Sequence, residues 1–151
     1  MKYGTLSAAG LAVLASMAFA FAATPPTKDA VVAMVKKTVA FIKSEGPEKA
    51  YAEINKGGQF VDGEIYPIVQ SLEGVNLANA INLKLVGKNM SEAQDVDGKY
   101  FVKDMTALAR KQASFWYDFK FANPVTKKIQ VKDMYCEVVG TTRVCSGLYR
   151  P

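Results

Sequence analysis

The chain has 151 residues, half of them hydrophobic, which is enough for one domain with a sizeable core and too little for two. Nineteen Lys and Arg against 14 Asp and Glu give a net charge of +5, and the basic residues are spread along the chain, so no nucleic-acid-binding patch is legible. Histidine is absent, which excludes histidine triads and histidine-metal sites.

Residues 1–22 read as an export signal. Lys2 supplies the positive start, an apolar run extends from Leu6 to Ala23, and Ala18-Phe19-Ala20 and Ala20-Phe21-Ala22 both fit the small-x-small cleavage pattern. The alternative is an uncleaved membrane anchor, since the run is just long enough to cross a bilayer. Eight of its residues are alanine, which drives insertion far less than leucine, and no basic cluster follows immediately. Cleavage near Ala22 removes Lys2 and leaves 18 basic against 14 acidic residues, a mature charge of +4. Residues 23–30 form a linker, and residues 31–151 form the domain.

Thr27 is placed to cap a first helix, in which Val32, Val35, Val39 and Ile42 recur at spacings of three and four. Gly46-Pro47 ends it and starts a second helix, with Tyr51 and Ile54 facing inward and Asn55-Lys56-Gly57-Gly58 as its stop. Glu64 to Leu72 and Val75 to Ala80 read as a first hairpin around Glu73-Gly74. Residues 85–94 are irregular. Asp97-Gly98 leads into a helix from about Lys99 to Gln112, with Phe101, Met105 and Leu108 on one side. Three strands follow, roughly 114–121, 128–139 and 142–149, turned at Asn123-Pro124 and Gly140. The order predicts an α+β domain: a five-stranded antiparallel sheet covered by helices on one side.

The two cysteines suit an exported chain. A two-residue loop at Gly140-Thr141 pairs Val139 with Thr142, and counting outward sets Cys136 opposite Cys145. That is a non-hydrogen-bonded pair, with Cα atoms near 4.5 Å and within disulfide reach. A bridge across so short a loop stabilises by about 2.5–3 kcal/mol.

No catalytic constellation is legible. The cysteines have no activating base, and convergence of carboxylates cannot be read from spacing. Asp95-Val96-Asp97-Gly98 carries part of a calcium-loop pattern, but Ala93 stands where the loop needs an oxygen ligand. A turn into the next helix is the better reading. The three residues Asn89-Met90-Ser91 match a glycosylation sequon, a pattern short enough to occur by chance. The expectation is a binding protein without enzyme activity, metal or cofactor.

The strongest positive signal is aromatic. Phe115, Tyr117, Phe119 and Phe121 alternate with Trp116, Asp118 and Lys120, and period two puts the odd residues on one sheet face. That face is either packed under helices or forms the wall of a ligand pocket. On the next strand Lys132 offers a point charge and Tyr135 a hydroxyl donor, the groups a carboxylate requires.

Several segments, taken in order, resemble the single Cache domains, extracytoplasmic sensing domains of bacterial chemoreceptors and kinases. They are Tyr51 to Asn55, Gly58-Gln59-Phe60 and Tyr66, then Val86 to Asn89 and Asp95 to Lys99. Phe115 to Lys128, with Asn123-Pro124-Val125-Thr126, comes next, followed by Lys132, Tyr135 and Ser146-Gly147-Leu148-Tyr149. The likeness spans roughly Val31 to Tyr149. It implies a PAS-like fold, a five- or six-stranded antiparallel sheet with a long N-terminal helix and further helices packed on it. It also implies a pocket for a short-chain organic acid such as acetate, propionate, lactate or pyruvate, with Tyr66, Trp116, Lys132 and Tyr135 as pocket residues. Three further pocket positions depart from the family pattern. Asn79 stands where relatives often carry histidine, and Phe119 and Phe121 stand at tyrosine and tryptophan positions.

The resemblance implies a periplasmic or secreted sensor. With the leader removed and the chain stopping at Pro151 directly after the last strand, signalling is expected to need a membrane receptor or kinase as partner. The competing expectations are an interaction or structural module whose pocket has closed over, and a membrane-anchored subunit that keeps its leader.

Overall fold

The structure is a computed structural model that describes residues 25–151. The expected export signal and its cleavage site lie outside these residues. Helix α1 runs Lys28–Glu45 and starts where Thr27 Oγ1 accepts a hydrogen bond from the N–H of Ala30 at 3.1 Å. Asp29 in the first turn and Lys43 in the last both complement the helix dipole. Its buried stripe is Val31, Met34, Val35, Thr38, Val39 and Ile42, one residue earlier at its start than the Val32 phase expected from sequence. Gly46, at φ +80°, ends the helix and lets Pro47 open α2 (Pro47–Ile54) at once.

Strands β1 (Ile68–Ser71) and β2 (Asn76–Asn79) form the first hairpin, each only four residues long. They are shorter than the expected 64–72 and 75–80. Pro67 has no N–H to extend the ladder, and a bulge between Val69 and Gln70 interrupts it. The loop from Ala80 to Tyr100 crosses to α3 (Phe101–Ala109), which buries Phe101, Val102, Met105 and Ala109. Asp95 organises the approach, its carboxylate accepting from the N–H groups of Asp97, Lys99 and Lys120. Strands β3 (Ser114–Ala122), β4 (Ile129–Val139) and β5 (Thr142–Tyr149) then follow close to their expected bounds.

All pairings are antiparallel, and the spatial order is β2-β1-β5-β4-β3. The last strand is thus the centre of the sheet, flanked by the first hairpin and the β3–β4 hairpin. The architecture is the α+β arrangement expected, with one difference. The helices do not share a face. Helix α1 packs its stripe, with Ile54 and Phe60, on Val69, Ala78 and Val144. Helix α3 covers the opposite face, against Phe115, Phe119, Met134 and the cysteine pair. Alternation along β3 supplies the reason, because Phe115 and Phe119 form an apolar face that needs its own cover.

Cys136 and Cys145 are register partners and are bridged, with Cα atoms 4.1 Å apart. The β4–β5 turn pairs Val139 with Thr142, as the two-residue loop requires. Because the bridge spans the two central strands, urea denaturation should show the oxidised protein more stable than the reduced one by about 2.5–3 kcal/mol. Equal midpoints in the two forms would mean that the β4–β5 hairpin is already closed in the unfolded chain.

Candidate functional site

Between α3, the Ala80–Tyr100 loop and the sheet lies a cavity of about 210 Å³. That is below the range of drug-sized pockets, about 300–1,000 Å³, and suits a molecule of a few carbons. Its wall is mostly apolar: Phe101, Met105, Phe119, Phe121, Met134 and the Cys145 end of the disulfide. Phe101 stacks on Phe119 at 4.3 Å between ring centroids, and Phe121 meets both rings edge-on.

One charged group enters this wall. Lys132, on β4, is 1% exposed, and its ammonium donates to the Tyr66 hydroxyl at 3.0 Å. The same ammonium sits 4.3 Å from the Tyr66 ring centroid and 4.8 Å from that of Tyr149, so two aromatic faces support the cation. Among the described residues no carboxylate lies within ion-pair distance of it. A buried cation with neutral neighbours is costly unless something brings a counter-charge. Tyr66 accepts from the lysine, and its hydroxyl neighbours that of Tyr149. Burial, and next the neighbouring Tyr66, push the Tyr149 phenol well above the ordinary tyrosine range. It therefore stays neutral beside the lysine, its hydroxyl donating to Ala122 O at 3.0 Å.

The backbone makes room for this lysine. A Cβ at Gly147, on β5, would stand 2.9 Å from Lys132 Cε and 2.7 Å from the carbonyl oxygen of Asp133. Only glycine leaves the slot across which the lysine stem lies. Tyr66 is held from below, its carbonyl accepting from Ser146 Oγ at 2.9 Å.

A Cache domain family model matches residues 29–141. The chain belongs to the Cache domain family. Solved structures of similar fold include a methyl-accepting chemotaxis protein from Vibrio parahaemolyticus, at 19% identity and a TM-score of 0.70, with 81% of this chain and 87% of that one covered. Another is described as the structural basis for carboxylic acid recognition by a Cache chemosensory domain, at 19% identity and TM-score 0.70, covering 82% and 92%. A third, the periplasmic sensor domain of a chemotaxis protein, gives 22% identity and TM-score 0.64, covering 82% and 90%. None of the curated proteins matches the chain.

Within this Cache domain the sequence-predicted residues separate by face. Tyr66, Asn79, Phe119, Phe121 and Lys132 all line the cavity. Trp116 and Tyr135 do not. They are register partners on the α1 face, with ring centroids 5.2 Å apart, Trp116 lying under the Lys28 ammonium and the Tyr135 hydroxyl donating to Glu137. The reason is parity. Lys132 and Tyr135 are three residues apart on one strand and must point to opposite faces. Asn79 has its amide oxygen engaged by the N–H groups of Ile81 and Asn82, at 3.1 and 2.9 Å. Sequence reasoning did not single out Gln70 and Asn76, which also line the cavity, or Arg143 behind them. The one available signal was polar residues at strand positions facing a buried layer.

If Lys132 is retained for binding at the expense of stability, Lys132→Met should raise the unfolding free energy of the empty protein by about 1–3 kcal/mol. Chemical denaturation of the two proteins measures this directly. A loss of stability would mean that the Tyr66 and Tyr149 contacts already compensate the charge.

Proposed function

We propose that this Cache domain is an extracytoplasmic receptor for a short-chain carboxylic acid, whose carboxylate is taken by Lys132 and Tyr66 while its carbon skeleton lies against Phe119, Phe121 and Met134. The observation that carries the reading is the Lys132 ammonium, buried at a cavity wall with no carboxylate partner among the described residues. A bound carboxylate would supply the missing charge through a charge-assisted hydrogen bond from the lysine and a second from the Tyr66 hydroxyl. The apolar wall suits a skeleton of a few carbons and excludes water from that bond, which strengthens it. Support also comes from the fold neighbours, one described for carboxylic acid recognition and one as a periplasmic sensor domain. Occupancy is passed to a membrane receptor or kinase, in keeping with the chemotaxis protein among those neighbours.

Thermal unfolding with a panel of short acids tests this. An acid at 100 times its dissociation constant stabilises by about 2.7 kcal/mol, which is several degrees for a domain of this size. The shift should saturate, and it should vanish in Lys132→Met while that variant still unfolds cooperatively. No shift with any acid would overturn the reading.

A further inference from the structure

Beyond Lys132 and Tyr66 the cavity carries further amide side chains. Gln70 on β1 and Asn79 on β2 are 7% and 2% exposed, and both line it. Each has its amide oxygen committed. Gln70 Oε1 accepts from Arg143 Nη2 at 2.7 Å, and Asn79 Oδ1 accepts from the two backbone N–H groups of the following turn. Guanidinium and backbone N–H groups only donate, so these contacts fix which atom of each amide is oxygen. The free edge of both amides is therefore NH2, and neither nitrogen has a hydrogen-bond partner among the described residues. Asn76, register partner of Gln70, is 2% exposed and also lines the cavity. Its Oδ1 is buried without a partner, so no contact fixes this amide and either edge can turn to an occupant.

Behind Gln70 stands a second buried cation. Arg143 is 0% exposed and donates to Thr106 Oγ1 at 2.6 Å, to Gln70, and to Val102 O at 3.2 Å, all neutral acceptors. Its Nε has no partner, and no described carboxylate pairs with it. Burial lowers the guanidinium to about 10, so it remains charged at neutral pH. Lys132 and Arg143 are thus two buried basic side chains with no carboxylate partner among the described residues. Tyr66 and Gln70 are four residues apart on nearly extended chain, roughly 13 Å along the backbone. A single carboxylate cannot satisfy both ends.

Resting on the carboxylic-acid reading above, we propose that the cavity selects a short dicarboxylate. One carboxylate is held by Lys132 and Tyr66. The other accepts from the free amide edges of Gln70 and its register partner Asn76, in the field of Arg143, while Asn79, opposite Ile68, lies between the two carboxylates. In this arrangement Arg143 is a positioning residue: it orients the Gln70 amide and never touches the ligand. A monocarboxylate of equal length leaves the two amide edges against its alkyl end, with buried donors unsatisfied.

Calorimetric titration of the whole protein with butyrate, succinate and glutarate, on wild type and Gln70→Glu, tests the proposal. Gln70→Glu preserves side-chain length and gives Arg143 a carboxylate partner, so the fold is not weakened. It also removes the donor edge and places a negative charge at that end. Wild type should bind the better of the two diacids at least about tenfold more tightly than butyrate. Gln70→Glu should abolish that preference, reducing the diacid-to-butyrate affinity ratio to about one or below. Butyrate binding as tightly as both diacids, or a diacid affinity unmoved by Gln70→Glu, would overturn the proposal and leave the carboxylic-acid reading standing. Binding of no acid, mono or di, removes both.

Discussion

The Lys132 side chain is buried where the described residues offer an ammonium no opposite charge. Burying a lone ammonium costs several kcal/mol, which cation–π contacts and one neutral hydrogen bond recover only in part. The surrounding structure is arranged to hold that charge at the cavity wall. Gly147 leaves the slot for its stem, Ser146 anchors the Tyr66 backbone, and Tyr149 covers the other side of the ammonium. These three lie on β5, and β5 is the middle strand of the sheet. The most constrained strand therefore supports the most costly residue.

The topology explains why such a site is possible in a small domain. With helices on both faces, the sheet has two separate apolar layers. The α1 layer is closely packed, from Val31 through Val144, and carries the stability. The α3 layer is covered by one short helix and a long irregular loop. Side chains on that face meet a cavity instead of a second complete layer of core. The closely packed core and the cavity thus lie on opposite faces of the sheet. The disulfide ties the two central strands beneath the cavity, and Cys145 forms part of its floor.

Much of this was legible in the sequence, for local reasons. The helix caps at Thr27 and Gly46, the β4–β5 turn and the opposition of Cys136 and Cys145 follow from short-range rules, and each stands where those rules place it. The alternation along β3 correctly grouped Phe119 and Phe121 on one face. The same alternation sets Trp116, brought in by the family resemblance, and Tyr135, singled out beside Lys132 as a hydroxyl donor, on the other face. Gln70, Asn76 and Arg143 were hidden for a different reason. Their convergence depends on β1 lying beside β5, a pairing across more than seventy residues that no local pattern encodes. The placement of helices on both faces was missed on the same account, because period two shows that a face is apolar and not what covers it.

The central claim is that an acid's carboxylate completes the environment of Lys132. Its most direct test is the NMR signal of the Lys132 side chain, assigned by substitution and followed while a bound short acid is titrated in. The account predicts a large, saturable, one-to-one change at the Lys132 ammonium, with other lysines nearly still. An acid that binds with the Lys132 signal unmoved would place the site elsewhere and contradict the account.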